Sequence, residues 1–524
     1  MPSHRALSSP DILNEIFEQC KYSTHPSREF AQDLSRCTHV CKAFHEPAIR
    51  ALWRTLPNLL PLFKLLSSFQ LIPEGDETDI PADERSCDFI LSGEISQEEW
   101  KRFCEYAKLV REVAHDSFCE NMVESWVWVY LMRQSRGEPL LPCLRSLGWV
   151  QSHPFSTILL AVISPSLRKL DLEFGYDHAD YGTIRKQECS IDMLLRNVFS
   201  QAPNIWNLTI SSLAHPSTLI AITRLTQLRK LDISKSAAVL DTGLLFHLST
   251  LENLVDLGIK VDFDDAPNFV GFYALKILRA EVHSDVTQVL NTIFSPQLET
   301  LGISQIPSTT LLMASRLMNE VRSRFGSLHT LHYTILSDKA RSSSAHVTAV
   351  LPLGDVVEPL LHLGTLEDVS LDFGGREVAV SDKYLDDVAN AWPRLTSFSL
   401  KHKCGTTIPS GNVLLSFARR CPALKTLLLP SLDISDGAFS YNWPLMSHEL
   451  YVLGLTMSAG GAIQHTESLG LAIDLIFPNL SVPDSMGKRV SGDGDRWVKT
   501  MQVVSICQLA RLQRRSRDCQ VSNP

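Results

Sequence analysis

The stretch that decides the fold is a six-residue pattern, which reads LRKLDL at 167–172 and LRKLDI at 228–233. An aliphatic residue stands first, a second follows three residues later, and a third comes two residues after that. Residues i and i+2 of a strand face the same side, so the last two aliphatics form one apolar stripe between polar neighbours. Each copy therefore predicts a short strand with one buried side.

The pattern recurs along most of the 524 residues. Twelve copies begin at Leu144, Leu167, Ile205, Leu228, Leu254, Leu275, Leu298, Leu328, Leu366, Leu395, Leu424 and Leu450, and Val110 is the candidate start of a degenerate one. Successive starts lie 21 to 38 residues apart, within or above the roughly 20 to 29 of leucine-rich repeats. The segments 175–190 and 337–346 supply inserted loops in the two longest intervals.

Between copies the apolar spacing becomes helical, as at 191–199 and 413–418. Strands that alternate with helices predict an α/β fold, a right-handed leucine-rich-repeat horseshoe with parallel strands inside and helices outside. The alternative is an ordinary leucine-rich α/β core in which such hexamers arise by chance. Twelve copies in order favour the repeat.

Composition narrows the class of protein. Hydrophobic residues make up 44% of the chain and charged residues 20%, which is typical of a globular protein. A net charge of −9 disfavours a nucleic-acid partner, because phosphate binding needs a positive field. No secretory signal or membrane span is visible, and the 12 cysteines are dispersed, so we expect reduced thiols in the cytoplasm or nucleus and no membrane partner.

The N-terminal residues predict three short helices. Ser9, Pro10 and Asp11 are a typical helix start, and apolar residues then follow at positions 12, 13, 16 and 17. A second helical pattern runs from Phe30 to Phe44, and a third begins at Pro47.

These helices carry a resemblance. The strings PDILNEIF at 10–17, LSRCTHVC at 34–41 and KAFHEPAIRALWR at 42–54 resemble the F-box, in the variant that fungal F-box proteins place ahead of leucine-rich repeats. The resemblance implies docking on the Skp-type adaptor of a cullin ubiquitin ligase, while the downstream repeats select a protein substrate. It places Pro10, Ile12, Leu13 and Ile16 at adaptor-facing positions. The alternative is that these apolar residues only anchor a helical cap on the repeats.

The sequence predicts four parts. Residues 1–56 are an F-box-like helical domain, and 57–140 a linker with N-terminal cap helices and a possible degenerate repeat. The repeat domain follows at 141–480, and a C-terminal capping helix and tail at 481–524.

Residues flanking the buried aliphatics should face the concave side and bind the protein substrate. We nominate Lys169, Asp171, Lys230, Asp232, Asp256, Arg279 and His332. This face has mixed charge and few aromatic residues, and Trp149 and Trp206 are candidates for the core.

Catalytic chemistry is not indicated. Cys37, His39, Cys41 and His45 are the one compact group of soft ligands, and their spacing matches no zinc pattern. The sequence also lacks the phosphate-loop, nucleophile-elbow and metalloprotease motifs. We therefore expect a non-enzymatic ligase adaptor without cofactor or metal, or else a repeat scaffold with no ligase role.

Overall fold

The computed structural model describes residues 9–23, 28–73, 87–117, 119–175, 181–213, 215–263, 265–305, 311–336, 351–404, 407–430, 432–433, 443–455, 466–487 and 494–521. The chain divides into two units, Met1–Leu254 and Val255–Pro524, and each is described by itself. The four predicted parts remain a prediction, and the boundary between the units falls inside the predicted repeat domain.

The first unit begins with three helices. They are α1 (Pro10–Ser23), α2 (Arg28–Cys37) and α3 (Lys42–Arg54). Their shared core contains Leu13, Phe17, Leu34 and Ala48, and the rings of Phe17 and Phe44 meet edge to face with centroids 5.7 Å apart. Three short helices thus have an apolar centre of their own.

The structure corrects the predicted boundary between the second and third helices, which had the third helix begin at Pro47. A turn at 38–40 separates α2 from α3, and the Cys41 carbonyl accepts from the backbone N–H of Phe44 and of His45, each at 3.1 Å. Helix α3 therefore begins at Lys42, and Pro47 is a buried residue inside it. Proline costs a helix one backbone hydrogen bond, and burial of its ring helps to offset that loss.

A folded region leads from α3 into the repeats. It contains β1 (Thr55–Leu56), α4 (Leu60–Phe63), β2 (Phe69–Pro73), β3 (Cys87–Leu91), α5 (Gln97–Ala107), β4 (Glu112–Asp116), α6 (Cys119–Met122) and α7 (Ser125–Gln134). Strands β2 and β3 pair antiparallel, whereas β1 pairs parallel with β4. Ser96 caps α5 by accepting from the Glu99 N–H. The described part of the segment expected to be partly a linker thus contains helices and strands.

The repeats of the first unit alternate strands and helices. They are β5 (Ser146–Gln151), α8 (Leu159–Val162), β6 (Lys169–Phe174), α9 (Tyr181–Gln201), β7 (Asn207–Ser211), a 3₁₀ helix (Pro216–Arg224), β8 (Lys230–Asp232) and α10 (Thr242–Ser249). The strands are parallel, in the order β1-β4-β5-β6-β7-β8. A Cβ on Gly148 of β5 would lie 2.2 Å from the Ala114 carbonyl oxygen, so this close approach requires glycine.

The second unit continues the same alternation. Its elements are β9 (Asp256–Val261), β10 (Ile277–Val282), α11 (Val286–Thr292), β11 (Thr300–Gln305), α12 (Leu311–Arg324), β12 (Thr330–Ile335), β13 (Leu351–Pro352), α13 (Leu353–Val357), a 3₁₀ helix (Glu358–His362), β14 (Asp368–Ala379), α14 (Asp382–Ala391), β15 (Ser397–Cys404), α15 (Val413–Arg420), β16 (Thr426–Leu429), β17 (Val452–Leu455), α16 (Thr466–Ile476), α17 (Val482–Gly487) and α18 (Gly494–Val521). The parallel order is β9-β10-β11-β12-β14-β15-β16-β17, and β13 pairs with β14.

One rule links the sequence pattern to all of these parallel repeat strands. Each copy of the pattern, including the degenerate one at Val110, starts a strand two residues after its first aliphatic residue. The stripe residues of the twelve clear copies are buried; in β8, for example, Leu231 and the following Ile233 are fully inaccessible. In the degenerate copy Val113 is buried but His115 is exposed, where the pairing of β4 with β5 shifts register. The predicted α/β leucine-rich-repeat fold is therefore confirmed.

Helix α18 packs at the C-terminal side of the second unit. Its own side chains at Trp497, Met501 and Val504 are buried, as their spacing predicts, whereas Leu509 and Leu512 are exposed. A Cβ on Gly470 of α16 would lie 2.7 Å from Val503 Cβ, so the two helices are in close contact there. The apolar stripe thus serves the core only along its first half.

Candidate protein-interaction surfaces

The strands of each unit present a polar face, which we define as the side chains that alternate with the buried aliphatics. In the first unit the register places Lys169 beside Asn207 and then Lys230, and Asp171 beside Thr209 and then Asp232. Neighbouring parallel strands lie about 4.8 Å apart. The polar positions of successive repeats therefore form continuous rows.

On the first unit, Lys169 and Asp171 are exposed, and Lys230 and Asp232 are half-buried. Within the described part of the chain, no residue forms an ion pair with Lys169 or Asp171. The Asp232 carboxylate accepts from the Ser234 hydroxyl at 2.6 Å. Lys169 and Asp171 are therefore exposed on β6 and open to a partner.

On the second unit, the nominated residues pair with neighbouring strands. Asp256 is buried and accepts from the Arg279 guanidinium, with Nη2 and Oδ1 2.7 Å apart. His332 Nε2 lies 3.2 Å from Asp368 Oδ2, and this contact lowers the pKa of the Asp368 carboxyl below its ordinary value. Asp256 is therefore buried beside its arginine partner, and its role in substrate binding stays a prediction.

Further charges on this face are also paired. Lys260 Nζ lies 3.6 Å from Glu281 Oε2, and Lys401 Nζ lies 3.7 Å from Asp372 Oδ2. Cross-strand pairs of opposite charge stabilise a sheet modestly. Several charged residues on the polar face of the second unit thus form ion pairs with each other.

The helices α1 to α3 offer a second surface. Ile12 and Ile16 are 43% and 41% exposed, and their spacing of four residues places them on one face of α1. Leu13 is only 1% exposed and belongs to the three-helix core. Pro10 is the first residue of α1, and its side chain lies outside the described residues. Two of the four predicted adaptor-facing residues, Ile12 and Ile16, are therefore exposed.

The two tryptophans near the strands differ in burial. Trp149 is fully buried in β5, as expected of a core residue, whereas Trp206 is 43% exposed and precedes β7.

Among the described residues, no group of three histidine, cysteine or acidic side chains is placed to hold a metal ion. His45 Nδ1 of the soft-ligand group instead lies 2.9 Å from the Thr38 carbonyl oxygen. No helix in the described ranges is both long and apolar enough to cross a membrane.

A groove beside α7 was not predicted from the sequence. It is lined by exposed apolar side chains, among them Trp126, Val129 and Met132, and by the buried carboxyl group of Glu120. The sequence of 125–134 could have indicated it, because apolar residues lie around the whole helix. A helix with a single buried side needs only one apolar stripe.

Comparisons with known proteins identify no family. No family model matches the chain, and no curated protein matches it in sequence. A solved TLR13–ssRNA13 complex contains a chain 12% identical to this one, with a TM-score of 0.28, over 66% of this chain and 57% of that one. A leucine-rich-repeat protein of Leptospira interrogans is also 12% identical, with a TM-score of 0.21, over 65% of this chain and 90% of that one. This chain thus spans little more than half of the TLR13 chain.

Proposed function

We propose that this chain is the substrate-recognition adaptor of a Skp/cullin/F-box ubiquitin ligase. It binds the Skp-type adaptor through its N-terminal helices and a protein substrate through the polar face of its repeats. The proposal includes a cytoplasmic or nuclear location and no catalytic activity of its own. The observation that carries it is the helical segment, which keeps a core of its own and still exposes Ile12 and Ile16.

The energetics of this surface fit a docking role. A buried core residue is not available to a partner, so Leu13 supports the segment while its two neighbours make contact. Burial of an isoleucine side chain contributes about 1.5 to 3 kcal/mol before the costs of association. Two such residues one helical turn apart suit a helix-in-groove contact.

The test is binding of the full chain to a purified Skp-type adaptor, measured by calorimetry. Ile12→Asp with Ile16→Asp should abolish binding, because two charges would then enter an apolar contact, and the far-UV circular dichroism should stay unchanged. Met193→Asp is the matched control, since Met193 is an exposed apolar residue of α9 in the same unit. Adaptor affinity that survives the double substitution would overturn the ligase role.

That result would favour the second candidate, an interaction scaffold without a ligase role. The observation behind it is that Lys169 and Asp171 are exposed and form no ion pair with a described residue, so they can engage a partner without the helical segment. The two candidates share the repeats and differ only in the use of α1.

A further inference from the structure

The groove beside α7, which we call the α7 groove, lies wholly within the first unit and has a volume of about 640 Å³. One wall is the short helix α6 together with α7. The other is the connection from β5 to α8, including His153 and Phe155. A volume of this size is typical of sites that hold a small molecule or a side chain with its neighbours.

The α7 groove has both polar and apolar walls, and several of its apolar side chains are exposed to solvent. Val129 is 70% exposed and Phe155 56%, and Trp126 and Met132 are also exposed. On the opposite side of the same helix, Val127 and Leu131 are buried. Helix α7 thus uses one apolar side for the core and leaves a second one uncovered.

The groove also contains a buried carboxyl group. Glu120 on α6 is 8% exposed, and its Oε2 accepts from the backbone N–H of Ser152 at 2.6 Å and of His153 at 3.1 Å. Its Oε1 is buried and makes no hydrogen bond with any residue that the structure describes. A buried acceptor without a partner is costly, so a donor brought to this carboxyl group by a ligand would stabilise it.

Charge identifies the kind of donor. Glu120, Glu124 and His153 line the groove, and no lysine or arginine is found among the described residues of its lining. Burial raises the pKa of the Glu120 carboxyl, against the opposing effects of the His153 and Ser152 N–H groups and of the nearby Ser156 hydroxyl. A cation in the groove would restore the charged form, and cations are also attracted to the faces of aromatic rings such as those of Trp126 and Phe155.

We propose that the α7 groove binds a basic side chain, lysine or arginine, carried by a partner peptide. Its charged end reaches the carboxyl groups of Glu120 and Glu124, and its alkyl stem packs on Val129, Met132 and Phe155. This site is separate from the polar face of the strands and does not depend on the adaptor role of the N-terminal helices.

The experiment uses the full chain and three small probes in ligand-observed NMR titrations. Nα-benzoyl-arginine amide supplies a basic side chain beside an apolar group, Nα-benzoyl-citrulline amide is its uncharged isostere, and Nα-benzoyl-leucine amide is purely apolar. We expect the arginine probe to bind at least about ten-fold more tightly than the other two, the difference expected of one charged hydrogen bond.

Two variants locate the binding. Glu120→Gln keeps an oxygen acceptor for Ser152 and His153 but removes the charge, and should abolish the preference for arginine over citrulline. Val129→Lys adds a cation at an exposed position of α7 and should do the same by a route that does not disturb the buried carboxyl. Glu252→Gln, at an exposed position elsewhere in the unit, should change nothing.

Equal affinity for the arginine, citrulline and leucine probes would overturn the proposal, because the groove would then be a purely apolar surface. An arginine preference that persists in both Glu120→Gln and Val129→Lys would also overturn it, because the cation would then bind elsewhere.

Discussion

The polar faces of the two units differ in how their charges are compensated. On the first unit, Lys169 and Asp171 are exposed and form no ion pair with a described residue. On the second, Asp256 pairs with Arg279 and His332 with Asp368 across neighbouring strands. A partner of the second unit must compete with existing contacts, whereas one that meets Lys169 and Asp171 need not. Orientation towards the polar face is therefore not sufficient to identify a binding residue.

The largest expected effect lies on the apolar side, where the two units agree. Leu231→Ala on β8 and Leu301→Ala on β11 remove fully buried side chains, and each should lower the free energy of unfolding by about 2 to 5 kcal/mol by leaving a cavity. Lys169→Ala with Asp171→Ala, at two exposed positions of β6, is the control and should change stability little. Thermal denaturation of the full chain checks both. A greater loss from the charged pair than from Leu231→Ala would refute the strand register.

The next effect separates the polar faces directly. Asp256→Ala should cost about 1.5 to 3 kcal/mol, because it removes a hydrogen bond to a charged group from a buried position. Asp171→Ala should stay within about 0.5 kcal/mol of the unsubstituted protein, as exposed positions usually do. Urea denaturation of the two variants measures the difference. Similar losses would remove the distinction between paired and unpaired faces.

The smallest effect is a pH dependence. Since the His332 contact lowers the pKa of Asp368 from an ordinary value of 3.8, its stabilisation is present above that value and is lost as the pH falls through the lowered pKa. Both side chains are over a third exposed, so the contribution is about 0.2 to 1 kcal/mol. Unfolding free energies of the unsubstituted protein and Asp368→Asn, measured from neutral pH downwards, should converge in acid. A gap that stays constant would contradict the pairing.

The strands could be predicted because their determinants are local. An aliphatic residue followed by two others at fixed spacing specifies both the start and the buried side of a strand. The degenerate copy at Val110 specifies only the start of β4, because its third position is His115, which is exposed. The pairing of Arg279 with Asp256 could not be predicted in this way. It depends on the register between strands, which places two residues far apart in sequence side by side.

The N-terminal helices show the same limit. The pattern at positions 12, 13, 16 and 17 predicts an apolar side of α1, but only packing against α2 and α3 decides that Leu13 enters the core while Ile12 and Ile16 do not. The α7 groove was missed for a related reason. Its carboxyl group and apolar walls come from α6, α7 and the connection after β5, and Glu120 is a single residue with no motif around it.

Helix α3 ends at Arg54, and β1 begins at the next residue. The Arg54 carbonyl also accepts from the Arg111 N–H at 2.9 Å, and the rings of Trp53 and Tyr106 lie 4.5 Å apart. A helix turns by about 100° per residue, and a shift of one residue exchanges the two sides of a strand. The number of residues at this junction therefore sets how α3 is rotated relative to β1. Helix α1 follows α3 because the two share a core. A chimaera that exchanges the helical segment with that of another protein would have to conserve that number, since a single inserted residue would either unseat Leu56 or point Ile12 and Ile16 in a new direction.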